Sequence, residues 1–150
     1  MRSNTITAAV AAAVIGGALT AVAAAPPAHA AKSCNFDFSY NNIPSVRPEV
    51  KLIHARGAAY CDVPPSEHDL VLGLELKDIN GSWQPYQDAG HNRDIPGDAY
   101  NPKYYELVVP CYVGTYRMSV SVTGYLEGNP FAYSKYSGET SVTPDECPSR

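Results

Sequence analysis

The chain has 150 residues, with 11 Lys and Arg against 15 Asp and Glu, 4 cysteines, and 11 tyrosines beside a single tryptophan. A formal net charge of −4, with no cluster of Lys or Arg, lacks the electrostatic footprint of a binder of nucleic acid or anionic lipid, and neither is expected as a partner. Beyond residue 30, eleven prolines spread along the chain leave no window for a long helix.

The first thirty residues, MRSNTITAAVAAAVIGGALTAVAAAPPAHA, follow the three-part layout of a secretory signal. Arg2 supplies the basic start, an Ala/Val/Ile/Leu run the apolar middle, and Pro26-Pro27 before Ala28-His29-Ala30 the cleavage region. The expectation is a signal peptide over 1–30, cleaved after Ala30, and one secreted domain over 31–150. A retained membrane anchor is the competing reading, but the run is mostly alanine and no basic stop follows it. Beyond residue 30 no apolar run is long enough to span a bilayer, so no membrane association is expected after cleavage.

From Cys34 onward the chain reads as short strands separated by turn chemistry: CNFDFSY, EVKLIHARGAAYC, HDLVLGLELKD, SWQPYQD, KYYELVV, TYRMSVSVTG and FAYSKYSGETSV. Two of them alternate cleanly. Leu70, Leu72, Leu74 and Leu76 share one face, and Tyr116, Met118, Val120 and Val122 share another, as in half-buried antiparallel strands. On the same alternation Tyr105, Leu107 and Val109 point inward and Tyr104 outward with Glu106. Asp78-Ile79-Asn80-Gly81 and Glu127-Gly128-Asn129-Pro130 carry hairpin turn signals. Seven strands in about 120 residues predict an all-β fold, with a seven-stranded immunoglobulin-like β-sandwich as the leading architecture and a different Greek-key sandwich or a small barrel as the runner-up. Gly114-Thr115-Tyr116-Arg117-Met118 fits the tyrosine corner of such a sandwich, except that Met118 stands where an antibody domain has cysteine.

Cys34, Cys61, Cys111 and Cys147 all lie in the exported part, where disulfides persist, and none forms a C-x-x-C pair. Two disulfides are expected. Strand order favours Cys34 with Cys61 and Cys111 with Cys147 over the nested pairings. Loop entropy, about 4 kcal/mol for each bridge, differs too little between the alternatives to decide. The signal, a first cysteine soon after it, HARGAAYC, a late cysteine closely followed by GTY, and a terminal cysteine together resemble the small secreted two-disulfide proteins common in actinobacteria. That resemblance implies export and a disulfide-braced sandwich, and carries no chemistry.

No nucleophile elbow is present and all four cysteines are expected in bridges, so the chain is read as a non-enzyme without metal or cofactor. The polar stretch DAGHNRDIPGDAYNPK, Asp88 to Lys103, is expected as a long loop. His91 with Asp88, Asp94 and Asp98 would be the donors of a divalent ion there, and a solvated crossover is the preferred reading of the same residues. Tyrosine is the compositional excess, and it offers a large amphipathic contact area at low entropy cost. Trp83, Tyr86, Tyr100 and Tyr104 are therefore the candidate contact residues, expected to cluster near the hairpin and the long loop, with His91 beside them. The leading function is a secreted binding module for a protein or an envelope polysaccharide. A protease inhibitor or small effector presenting the Pro64-Pro65 loop beside Cys61 is the alternative, and a metal-dependent hydrolase built on His91 is a third.

Overall fold

A computed structural model describes residues 32–149, so the expected signal over 1–30 lies outside the described residues. Ala31–Arg150 forms one compact unit. Its strands are β1 (Cys34–Phe38), β2 (Ser45–Arg47), β3 (Leu52–Cys61), β4 (Glu67–Lys77), β5 (Trp83–Asn92), β6 (Lys103–Pro110), β7 (Gly114–Leu126) and β8 (Asn129–Val142). These are eight strands, one more than the sequence predicts. The additional strand is β2, which pairs with Leu52–His54 of β3, while β1 pairs with Gly57–Cys61 on the same side. The chain between them leaves the ladder because Tyr40, Asn41 and Asn42 turn left-handed, with φ of 56°, 58° and 63°. Pro44 then holds Ile43 extended and returns the chain to the edge.

In the first sheet β3 pairs with β1 and β2 on one side and with β6 on the other. The second sheet has the order β5-β4-β7-β8. The two inner faces enclose one core. Leu70, Leu72, Leu74, Met118, Val120 and Val122 come from the second sheet, and Phe36, Ile53, Ala55, Ala59, Leu107 and Val109 from the first, all buried. Small residues on β3 make room for large ones beside them. A Cβ at Gly57 would run into the ring of Phe36, which packs against Phe38 and Tyr105. Met118 is fully buried and fills, as an ordinary apolar side chain, the position an inter-sheet cysteine takes elsewhere.

Tyr116 is also fully buried, and its hydroxyl donates to the Tyr112 carbonyl at 3.1 Å, which completes the tyrosine corner. The disulfides are Cys34–Cys61 and Cys111–Cys147, with Cα separations of 4.0 and 5.7 Å. Cys34 and Cys61 face each other in the β1–β3 register, so this bridge staples one end of the first sheet. The other joins the end of β6 to the segment after β8, and thus one sheet to the other at the opposite end. Lys135 and Thr140 of β8 donate to the carbonyls of Phe36 and Pro44, joining the sheets along one side.

Two boundaries differ from the sequence expectation. β5 runs on to Asn92, because register shifts opposite Val71/Gly73 and Leu74/Glu75 absorb extra residues that alternation does not anticipate. The long loop is thereby shortened to 93–102. It is tied down by the buried Pro96, by Gly97, whose carbonyl accepts from the Cys61 N–H at 2.9 Å, and by Asp98, whose carboxylate accepts from the N–H groups of Tyr100 and Asn101. Of the two predicted hairpin turns, Asp78 caps the first through the N–H groups of Asn80 and Ser82. The second closes on Glu127 and Gly128 alone, at φ 51° and 79°, with Asn129 and Pro130 already in β8.

Candidate functional site

The outer face of the first sheet is set by the parity of β3 and β6. Because Ile53, Ala55, Gly57 and Ala59 turn inward, His54, Arg56, Ala58 and Tyr60 turn outward. Because Tyr105, Leu107 and Val109 turn inward, Tyr104, Glu106 and Val108 turn outward. Register then sets Arg56 opposite Glu106 and Ala58 opposite Tyr104. Glu106 accepts at one oxygen, Oε1, from Arg56 Nη2 at 2.5 Å and from His54 Nδ1 at 2.9 Å. The hydrogen bond from His54, followed by that from Arg56, holds the Glu106 carboxyl below its ordinary range. Glu106 Oε2 and the remaining guanidinium N–H groups make no further hydrogen bond among the described residues.

The left-handed turn adds a third wall. The Ser39 N–H donates to the Arg56 carbonyl at 2.8 Å, fixing where the turn departs, and the Tyr40 ring lies over the Arg56 guanidinium at 5.4 Å. Asn41 and Asn42 are residue types that tolerate a left-handed backbone, whereas for tyrosine it costs roughly 1–2 kcal/mol. The result is a hollow of about 440 Å³ bounded by Ser39, Tyr40, Arg56, Tyr104, Tyr105 and Glu106. Tyr104 is 68 % exposed on its rim.

The other candidate aromatics are not gathered with Tyr104. Trp83 lies on the outer face of the second sheet, where Arg117 is interleaved between it and Tyr136, at 4.4 and 4.0 Å from the two ring centroids. Glu75 holds that guanidinium at 2.6 Å, and Lys77 approaches Trp83 at 5.1 Å while bonding Glu139. Tyr86 turns into the sandwich, edge-on to Tyr116 at 5.5 Å, with its hydroxyl donating to the Pro110 carbonyl. Tyr100 stands fully exposed in the 93–102 loop. The expected cluster of four is thus divided among two faces, the core and a loop.

His91 also has a different role from that of a metal donor. Its Nδ1 lies 2.9 Å from Asp69 Oδ1, on the neighbouring strand, and Arg93 meets the other oxygen at 3.5 Å. The hydrogen bond to His91 depresses the Asp69 carboxyl. Asp88 accepts from the Gly90 N–H, Asp94 pairs with Lys103 at 2.9 Å, and Asp98 caps its own turn. Among the described residues no three His, Cys, Asp or Glu side chains gather to hold a metal ion. The Pro64-Pro65 loop is pinned rather than projecting. Asp62 N–H donates to the Ser33 carbonyl, Ser66 N–H donates to the Tyr125 carbonyl, and Pro65 between them is buried.

A larger cleft, about 630 Å³, opens where the start of β4, the end of β7 and the start of β8 meet, with Arg93, Tyr125 and Phe131 in its walls. His68 is part of its wall, 3 % exposed, with both ring nitrogens buried and without a hydrogen-bond partner. Burial pushes the His68 pKa down, opposed by the Asp94 backbone and the Asp69 charge. Its nitrogens do not reach the cleft surface, and the Asp69 carboxylate is already engaged by His91 and Arg93. The smaller hollow on the first sheet therefore presents the more available polar groups. No family model matches the chain, and no curated protein matches it.

Proposed function

We propose that the chain is a secreted, non-enzymatic binding module with an immunoglobulin-like fold, which contacts a protein or an envelope polysaccharide through the tyrosine-lined hollow of its first sheet. The immunoglobulin-like assignment is supported by the sheet order, with β1, β3 and β6 facing β5-β4-β7-β8, and by the corner hydrogen bond of Tyr116. Export is supported by the two disulfides, which persist in oxidising compartments. Among the described residues no helix is long and apolar enough to cross a membrane. The paired cysteines and the sandwich agree with the resemblance to small secreted two-disulfide actinobacterial proteins.

One observation carries the binding reading. Tyr40 is held in a conformation unfavourable to tyrosine, with its ring against Arg56, across the hollow from the exposed Tyr104. Strained backbone of this kind concentrates at ligand clamps. The test is co-sedimentation of residues 31–150 with insoluble envelope material, comparing wild type, Tyr104→Ala and Trp83→Ala. Pelleting should be lost with Tyr104→Ala and kept with Trp83→Ala, whose ring is engaged by Arg117. Pelleting indifferent to Tyr104 would overturn the assignment of this surface.

A further inference from the structure

We infer that the hollow takes a neutral sugar ring, its apolar face against Tyr40 or Tyr104 and two neighbouring hydroxyls on Arg56 and Glu106. This rests on the reading of the hollow as the contact surface and names what that surface recognises.

The charge arrangement narrows the ligand first. Arg56 and Glu106 are joined at 2.5 Å, and His54 bonds the same carboxylate oxygen. The cation is neutralised by its partner, so an anionic ligand gains little net attraction and brings its charge up against the Glu106 carboxylate. A cationic ligand meets the converse problem, since it brings its charge up against the Arg56 guanidinium. A wholly apolar ligand is disfavoured as well, because it would cover half-exposed ionic groups, 39 % and 36 % accessible, and give them nothing in return.

What remains is a neutral molecule that offers both a donor and an acceptor at close spacing, together with an apolar face. Glu106 Oε2 can only accept and the spare Arg56 N–H groups can only donate. Adjacent hydroxyls satisfy both, one donating to the carboxylate and its neighbour accepting from the guanidinium. The C–H face of a sugar ring then packs on a tyrosine ring, whose hydroxyl end remains in water. The hollow, about 440 Å³, lies within the range of small-ligand sites. The hydrogen bonds to Glu106 and the ring of Tyr40 lock the polar pair before the ligand arrives, which lowers the ordering cost of binding. A proline-rich peptide also docks between aromatic rings, but it leaves the ion pair in this floor unused.

Amide chemical shifts of 15N-labelled residues 31–150 would be followed during titration with neutral gluco-, manno- and arabino-oligosaccharides, an oligoglucuronide and a proline-rich decapeptide. The expected result is saturable shifts of Ser39–Asn42, Arg56 and Tyr104–Glu106 with at least one neutral oligosaccharide and with neither other probe. Tyr104→Ala and Tyr40→Gly should each weaken that binding tenfold or more. Glycine accepts the φ of 56° at position 40, so Tyr40→Gly should keep the wild-type melting temperature or exceed it. Glu106→Gln keeps the shape but frees the Arg56 charge, and should weaken the neutral ligand while admitting the oligoglucuronide.

Shifts with the peptide alone, or with the oligoglucuronide in the wild type, would overturn the sugar assignment. So would a set of neutral oligosaccharides that leaves these amides unmoved. If Tyr104-dependent co-sedimentation persists in that case, the contact surface stands and only its ligand class falls. If co-sedimentation is also indifferent to Tyr104, both fall together.

Discussion

His68 stands out among the described interior residues as the buried side chain that would ordinarily take up a proton near neutral pH. Burial holds it neutral against the pull of the Asp94 backbone and the Asp69 charge, and its pKa lies below the ordinary 6.5. The unfolded chain therefore takes up a proton before the folded one does. Stability is fully present above about pH 6.5 and declines as pH falls from there toward the folded-state pKa. Urea melts at pH 7.5 and 5.5 should show this loss, and His68→Phe should abolish it while matching or exceeding wild-type stability at pH 7.5. The depressed carboxyls of Asp69 and Glu106 act in a separate window, losing their contribution only near and below pH 4. Tyr105 and Tyr133 likewise have buried hydroxyls without partners, and burial pushes both to about 12. They stay protonated throughout either window. Tyr116→Phe removes only the hydroxyl that reaches Tyr112 and should cost about 1 kcal/mol in a denaturant titration.

At the scale of elements, alternation carries most of the information. Leu70, Leu72 and Leu74 of β4 and the Tyr116–Val122 set of β7 are buried as their parity predicts, Leu76 is half-buried against them, and the inward set of β6 is buried too. The same parity sets Tyr104 outward beside Glu106, so half of the hollow is legible in the amino-acid sequence alone. It also separates Trp83 from Tyr86, three positions along one strand, and a cluster containing both contradicts the period of two. The register shifts in β5 and the left-handed turn after β1 are not legible there, because each depends on what the partner strand offers. Asn41-Asn42 followed by Pro44 is a turn signal, but it does not reveal that Tyr40 bends with them or that its ring meets Arg56 across the sheet. On the inner side of that sheet, Gly57→Ala places a methyl group against Phe36 and should destabilise by about 1–3 kcal/mol, read from the urea midpoint.

At the scale of the whole molecule, the two bridges divide the work by position. Loops of 27 and 36 residues predict about 3.6 and 3.8 kcal/mol from chain entropy, nearly equal. Their connections are not equal. Cys34–Cys61 joins two strands that are already paired, whereas Cys111–Cys147 holds the sheets to each other where β6 and β8 end. Replacing Cys111 and Cys147 together by serine should therefore lower the melting temperature more than replacing Cys34 and Cys61, and amide hydrogen exchange should quicken first around Cys111–Val113 and the end of β8. The Trp83–Arg117–Tyr136 stack has an optical consequence. Trp83 is the sole indole of the chain, and it lies on the sheet opposite the hollow, under a guanidinium that leaves when the second sheet comes apart. Its emission is thus a built-in reporter of that sheet's integrity, and it should stay silent while a sugar fills the other face.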